Sequence, residues 1–111
     1  MEKIRFYFNE EYKEFTLHES LKLRYAITSF GRIISFKNDV FDGRFLKGSL
    51  ADGYKIIHYK IRIDDKLKNK YVFVYKLVAE NFIEKSSENQ TYVLHLDYVR
   101  DNDNVKNLKW A

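Results

Sequence analysis

Tyr92-Val93-Leu94-His95-Leu96-Asp97-Tyr98-Val99-Arg100-Asp101-Asn102-Asp103-Asn104-Val105-Lys106-Asn107-Leu108-Lys109-Trp110 closes the chain. A short apolar run delivers a lone His, a polar loop follows, and an Asn-rich segment ends on Leu108 and Trp110. That order predicts strand, loop and helix, with His95 at the strand's end. Asp101 or Asn102 suits a helix N-cap, and Asp103 would sit near the positive end of that helix. Asn102, Asn104 and Asn107 suit backbone groups in a tight loop, and Asp97 reads as a residue that structures it. Leu108 and Trp110, with Leu77 and Phe82 earlier, are expected in the core.

Before this stretch the alternation is that of strands. Residues 3–8 place Ile4, Phe6 and Phe8 on one side, and Tyr12 to Leu17 is expected to return as a hairpin arm. Tyr25 to Phe36 reads as two short strands about a turn at Gly31, where positive φ is easy. Asp52-Gly53 is a strong turn signal and opens Lys55 to Ile63, with Ile57, Tyr59, Ile61 and Ile63 facing one way and Ile56, His58, Lys60 and Arg62 the other. Asp64 to Lys70 is expected as a charged turn, and Tyr71 to Tyr75 as a β-branched and aromatic strand. From Lys76, the positions of Leu77, Val78, Phe82 and Ile83 predict a two-turn helix.

Composition narrows the class. With 111 residues, 45% hydrophobic and 17% aromatic, the chain predicts one globular domain. No Cys is present, which excludes disulfides and thiolate metal sites. No apolar run approaches the roughly 18 residues of a membrane span, and Met1 to Phe6 lacks a signal-peptide core, so a cytoplasmic protein without a membrane partner is expected. Nine of the 20 Lys and Arg residues lie between Gly43 and Lys76 against three acids, a local charge of +6 in a chain of net +4. A basic centre in a near-neutral chain suits a polyanion.

The order of segments resembles the HNH endonucleases of the homing, phage-borne type, in which a small β-rich module precedes the nuclease motif. Tyr25-Ala26-Ile27-Thr28-Ser29-Phe30-Gly31-Arg32-Ile33-Ile34-Ser35 is similar to the opening of that module, and Gly43-Arg44-Phe45-Leu46-Lys47 with Asp52-Gly53-Tyr54 to its second signature. Val74 to Ile83 resembles the helix that starts the nuclease motif. Val93-Leu94-His95-Leu96-Asp97 with Asn102, Asn107-Leu108 and Trp110 resembles its core. The implied fold class is α+β, a small antiparallel β-sheet module followed by a ββα unit of the HNH, His-Me finger kind. The implied division of the single domain (1–111) is an N-terminal hairpin extension over 1–24, the β-rich module over 25–70 and the HNH-like unit over 71–111.

The resemblance makes His95 the base that deprotonates the attacking water, beside a divalent cation. Four departures bear on that metal site. Leu94 stands where the family has Asp or Asn, Tyr75 where it has His, Tyr98-Val99 where it has Gly-Asn, and the sequence stops one residue after Trp110. The expectation is therefore a degenerate motif with an incomplete metal site, a vestigial His95, no catalytic residue, no metal and no cofactor. Function would rest with phosphate contacts from Arg32, Arg44, Lys47, Lys55, His58, Lys60, Arg62, Lys68, Lys70 and Lys76, with Tyr54 and Tyr59 as stacking candidates. A small Lys-rich chain without a groove-reading element suits folded RNA. The expected protein is a non-catalytic, structural, ribosome-associated RNA-binding protein, with rRNA ahead of DNA and ribosomal proteins as further partners. The alternative is a metal-dependent HNH DNA endonuclease with an altered site.

Overall fold

Asp52 and Gly53 both adopt positive φ, 53° and 83°, and the tight turn they make launches the longest strand of the protein. The computed structural model describes residues 4–111. Nine short strands, one α-helix and two 3-10 turns make up this span: β1 (Tyr12–Phe15), β2 (Arg24–Thr28), β3 (Ile33–Phe36), β4 (Arg44–Leu46), β5 (Ser49–Ala51), β6 (Tyr54–Ile63), β7 (Lys66–Phe73), α1 (Val74–Phe82), β8 (Val93–His95) and β9 (Leu108–Trp110). They form three antiparallel sheets, β1-β2-β3-β4, β5-β6-β7 and β8-β9.

The β2–β3 hairpin pairs Ala26 with Ile34 and Ile27 with Ile33. Because side chains alternate across a strand, Ile27 and Ile33 face one cluster, with Ile57, Val74, Leu77, Val78 and Leu108. Ala26 and Ile34 face a second, with Ile4, Phe36 and Val40. Both faces are covered, which is why the two strands read as continuous apolar runs. Each buried Ile is worth about 1.5–3 kcal/mol relative to exposure. α1 follows β7 directly and buries Val74, Leu77, Val78 and Ala79. Trp110 Nε1 donates to the Ile83 carbonyl at 2.9 Å, fastening β9 to the end of this helix. No helix among the described residues is long and apolar enough to cross a membrane.

The structure corrects three expectations. The first is the strand over residues 3–8: its opening residue, Lys3, lies outside the described residues, and Ile4 to Phe8 form no strand. A Tyr7–Glu10 turn with Asn9 at φ 65° redirects this segment; Phe6 stacks on Tyr12 at 5.1 Å and Ile4 fills the second cluster, whereas Phe8 stays exposed. The second is the hairpin within 1–24: β1 pairs instead with β2, Phe15 opposite Tyr25. The third is the closing helix. Only Val105–Asn107 makes a 3-10 turn, and Leu108–Trp110 is a strand whose residues alternate buried, exposed, buried. That period of two belongs to a strand packed on one side. The charged turn also shrinks to Asp64 and Asp65, both at positive φ, and β7 starts at Lys66.

Candidate active site and nucleic-acid interface

His95 ends β8, opposite Leu108 of β9. The loop after it is tied by its own side chains. Asp97 accepts from Asn102 Nδ2 at 2.7 Å, Asn107 Nδ2 at 2.8 Å and the Val99 amide at 2.8 Å. These bonds, that from Asn102 foremost, hold the Asp97 carboxyl below its ordinary value. Asp97 thus structures the loop, as expected of it.

The residue that the sequence did not reveal is Asp103. Its Oδ1 lies 2.8 Å from His95 Nε2, with the side chains only 2% and 6% exposed. Its other oxygen, Oδ2, has no protein partner. Burial pushes the Asp103 carboxyl above its ordinary value, against the bond and charge of His95 and the charge of Lys55. An ionised Asp103 fixes the ring proton on Nε2 and leaves Nδ1 with the lone pair that can take a proton. Nothing in the order Asn102-Asp103-Asn104 announces which of the three turns inward.

The partner of this pair comes from the other end of the chain. Gly31, at φ 81°, runs so close that a Cβ there would lie 2.8 Å from Asp103 Cβ. The Val105 amide donates to the Ser29 carbonyl at 2.7 Å. The β2–β3 turn therefore buttresses the His95–Asp103 pair. Two rings flank His95, Tyr75 at 5.2 Å edge-on and Tyr54 at 5.7 Å. The Arg100 guanidinium lies over Tyr54 at 5.4 Å and donates to the Asp52 carbonyl at 2.9 Å. Tyr54, His95, Tyr98 and Arg100 line an open cleft of about 460 Å³.

A hard divalent cation such as Mg²⁺ is held by one or two carboxylates and completes its shell with water and substrate phosphate. Leu94 has no donor, the free Asp103 oxygen is buried, and Asp97, tied to the loop by Asn102 and Asn107, is the exposed carboxylate nearest His95 in the chain. No three His, Asp or Glu side chains converge among the described residues.

The predicted phosphate contacts separate into groups. Lys60, Arg62, Lys68 and Lys70 lie exposed on the β6–β7 ribbon. The register sets Lys66, Lys68 and Lys70 opposite Ile63, Ile61 and Tyr59, and Lys60 and Arg62 opposite Asn69 and Leu67. Cations therefore occupy both faces, whereas the pattern of β6 alone suggested one. Exposed His58 lies beside Tyr71, Lys76 over Phe73 and half-buried Lys55 near Asp103. Arg44 and Lys47 are exposed on and just after β4. Arg32 is engaged internally: it binds Glu10 through two nitrogens, donates to the Arg5 carbonyl and lies over Tyr7 and Phe45. Tyr59 lies 6.5 Å from the His18 ring.

A family profile described as the NUMOD4 motif matches residues 10–74. Two relatives named as uncharacterized HNH endonucleases, both of Acanthamoeba polyphaga mimivirus, are similar to this chain. One is 30% identical over 105 residues, 88% of this chain and 26% of its own length; the other is 33% identical over 88 residues, 78% and 24%. A solved structure described as DNA binding and cleavage by the HNH homing endonuclease I-HmuI superposes with a TM-score of 0.65 and 30% identity, over 91% of this chain and 52% of that one. The chain thus spans about a quarter of the curated relatives and half of the solved one. These findings overturn the expected non-catalytic, ribosome-associated RNA-binding protein, and with it the exclusion of an enzyme and the ribosomal and ribonucleoprotein assignments: the relatives are named endonucleases, and the solved one binds and cleaves DNA. The His at the end of β8, the α+β arrangement of antiparallel sheets with one helix, and these matches agree, and the chain belongs to the NUMOD4-motif, HNH-endonuclease-like family.

Proposed function

We propose that this chain acts on DNA as the backbone-binding and general-base part of an HNH-type endonuclease. The observation that carries the reading is the buried His95–Asp103 pair at 2.8 Å, set in a cleft beside Arg100. Asp103 orients the imidazole, and Nδ1 of His95 accepts the proton of a water whose oxygen bonds to phosphorus; the P–O bond to the leaving sugar oxygen breaks, that oxygen takes a proton from solvent, and Arg100 offers a charge to the phosphate. A positioned base of this sort contributes about 10²–10⁴-fold. No three His, Asp or Glu side chains converge among the described residues, so a divalent cation there would rest on the exposed Asp97 carboxylate, with water and the DNA phosphate completing its shell. The contribution of the described residues is the base, the phosphate contacts and the path of the strand.

DNA binding falls to the β6–β7 ribbon. The major groove, about 12 Å wide, admits a two-stranded β-ribbon, and Lys60, Arg62, Lys68 and Lys70 on opposite faces of this one can reach the phosphates on both groove walls. Arg44, Lys47, Lys55, His58 and Lys76 are further candidate contacts. The partner is DNA.

Supercoiled plasmid incubated with the protein and Mg²⁺ or Mn²⁺ tests the reading. The expected result is nicked circles with the wild type and none with His95→Ala. Bound but intact plasmid under both ions would overturn it.

A further inference from the structure

Four rings, His58, Tyr71, Phe73 and Tyr54, share one face of the β6–β7 ribbon, and a fifth, Tyr75 at the start of α1, continues the run to His95. The register pairs His58 with Tyr71 and Ile56 with Phe73, so these residues share a face. The His58–Tyr71 centroids are 6.2 Å apart, Tyr71–Phe73 5.6 Å, Phe73–Tyr75 5.3 Å and Phe73–Tyr54 6.1 Å. Tyr54 and Tyr75 then both touch His95. Cations accompany the run: Lys76 lies 5.7 Å over Phe73 and Arg100 5.4 Å over Tyr54. The inner rings are half-buried, but Tyr71 is 55% exposed, and Leu67 further along the same face is 62% exposed. An apolar ring face open to water on a strongly basic ribbon is not explained by the core.

Paired DNA cannot use such rings. In a duplex the base faces are hidden in the stack, so the surface it offers is phosphate and groove edges, for which Lys and Arg suffice. A base turned out of the stack exposes its face, and aromatic side chains flanked by cations are what holds it. We propose that the run from Tyr71 to Tyr54 and Tyr75 is a stacking path for an unpaired DNA segment, which carries the strand to be cut out of the duplex and onto His95. The distal, charged half of the ribbon holds the duplex, and the proximal, aromatic half holds the nucleotides that leave it. This inference rests on the DNA reading above and goes beyond it by naming the state of the strand that the cleft accepts.

Fluorescence anisotropy with two duplexes of the same length and sequence, one fully paired and one with a short central bubble, tests it over a salt series. The bubble duplex is expected to bind roughly tenfold more tightly, at the modest end of what a base–aromatic stack is worth. Tyr71→Ala should remove that preference without changing the salt dependence, and Tyr71→Phe should keep it. A 2-aminopurine in the bubble should lose fluorescence on binding the wild type and not on binding Tyr71→Ala. Equal affinity for the two duplexes, or a preference that survives Tyr71→Ala, would overturn the stacking path while leaving duplex binding in place. Absence of salt-dependent binding to the paired duplex would instead defeat the DNA reading and this inference together.

Discussion

Nε2 of His95 and Oδ1 of Asp103 meet at 2.8 Å although the two residues stand eight positions apart, along a loop that leaves and re-enters the β8–β9 pair. The carboxylate is buried, its second oxygen lacks a protein partner, and burial raises its proton affinity. Such a group costs stability when ionised. Its place against His95 gives that cost a chemical use in the proposed reaction, since it decides which ring nitrogen keeps a lone pair.

Asp103→Asn separates the two effects. The amide keeps the shape and loses the charge, so nicking is expected to fall by about 10²–10⁴-fold, with affinity for paired DNA unchanged. A carboxyl whose folded pKa is raised favours the folded state when protonated and loses that contribution as pH rises from its unfolded value, about 3.9. The melting temperature of Asp103→Asn should therefore gain on the wild type as pH rises through the carboxylate range towards neutrality. Paired thermal melts across that range check it.

Gly31→Ala tests the buttress. The new Cβ would meet Asp103 at 2.8 Å in a backbone held at φ 81°, so strain and clash act together. A loss of about 1–3 kcal/mol is expected, read by urea denaturation at constant m-value. Nicking should fall more than stability alone explains, because the displaced residue is the one that orients His95.

Arg32→Gln should behave as a core variant. The Glu10 carboxylate lies covered by the Arg32 guanidinium, itself about a quarter exposed, and leaving such a part-buried partner unpaired costs about 1–3 kcal/mol. The salt dependence of DNA binding should stay as in the wild type. Burial opposes ionisation of Glu10, but its bonds from Arg32 and its neighbours outweigh this and hold its carboxyl below the ordinary value. A lowered folded pKa gives stability that is present above the unfolded value and lost as pH falls through the folded one. The acid-side fall in melting temperature should accordingly be shallower in Arg32→Gln.

Lys68→Ala with Lys70→Ala is the opposite case. Both side chains are exposed on the ribbon, so stability should change by no more than about 0.5 kcal/mol. If each meets one phosphate, the slope of log affinity against log salt should drop by about 2, measured by anisotropy on paired DNA.

The local sequence determined a good deal of this protein. Apolar runs about Gly31 marked β2 and β3, alternation marked β6, Asp52-Gly53 marked the turn before β6, and the spacing of Leu77, Val78 and Phe82 marked α1. The basic centre and the order of short signatures carried the family. Each of these is a property of neighbours in the chain, where period and turn chemistry act directly. Where a segment's pattern had to be resolved by what packs on it, the sequence was ambiguous. Asn102 to Trp110 carries capping residues and an apolar end that suit a helix, yet Trp110 reaches the end of α1 and Leu108 the core, and both reach them only as a strand. Tertiary packing overrode the local signal.

The site divides in the same way. His95 at the end of an apolar run is legible, and so are the lysines of β7, whose division between two faces follows once the β6–β7 register is known. Asp103, the rings of Tyr54 and Tyr75, and the withdrawal of Arg32 into a pair with Glu10 are decided only in three dimensions. They depend on desolvation and on contacts between residues distant in the chain: Gly31 against Asp103, Tyr54 against His95, Glu10 against Arg32. The sequence by itself determined that a basic, strand-rich centre precedes His95. Burial, which belongs to the folded chain and to no residue alone, decided which acid pairs with that His and which cations remain exposed.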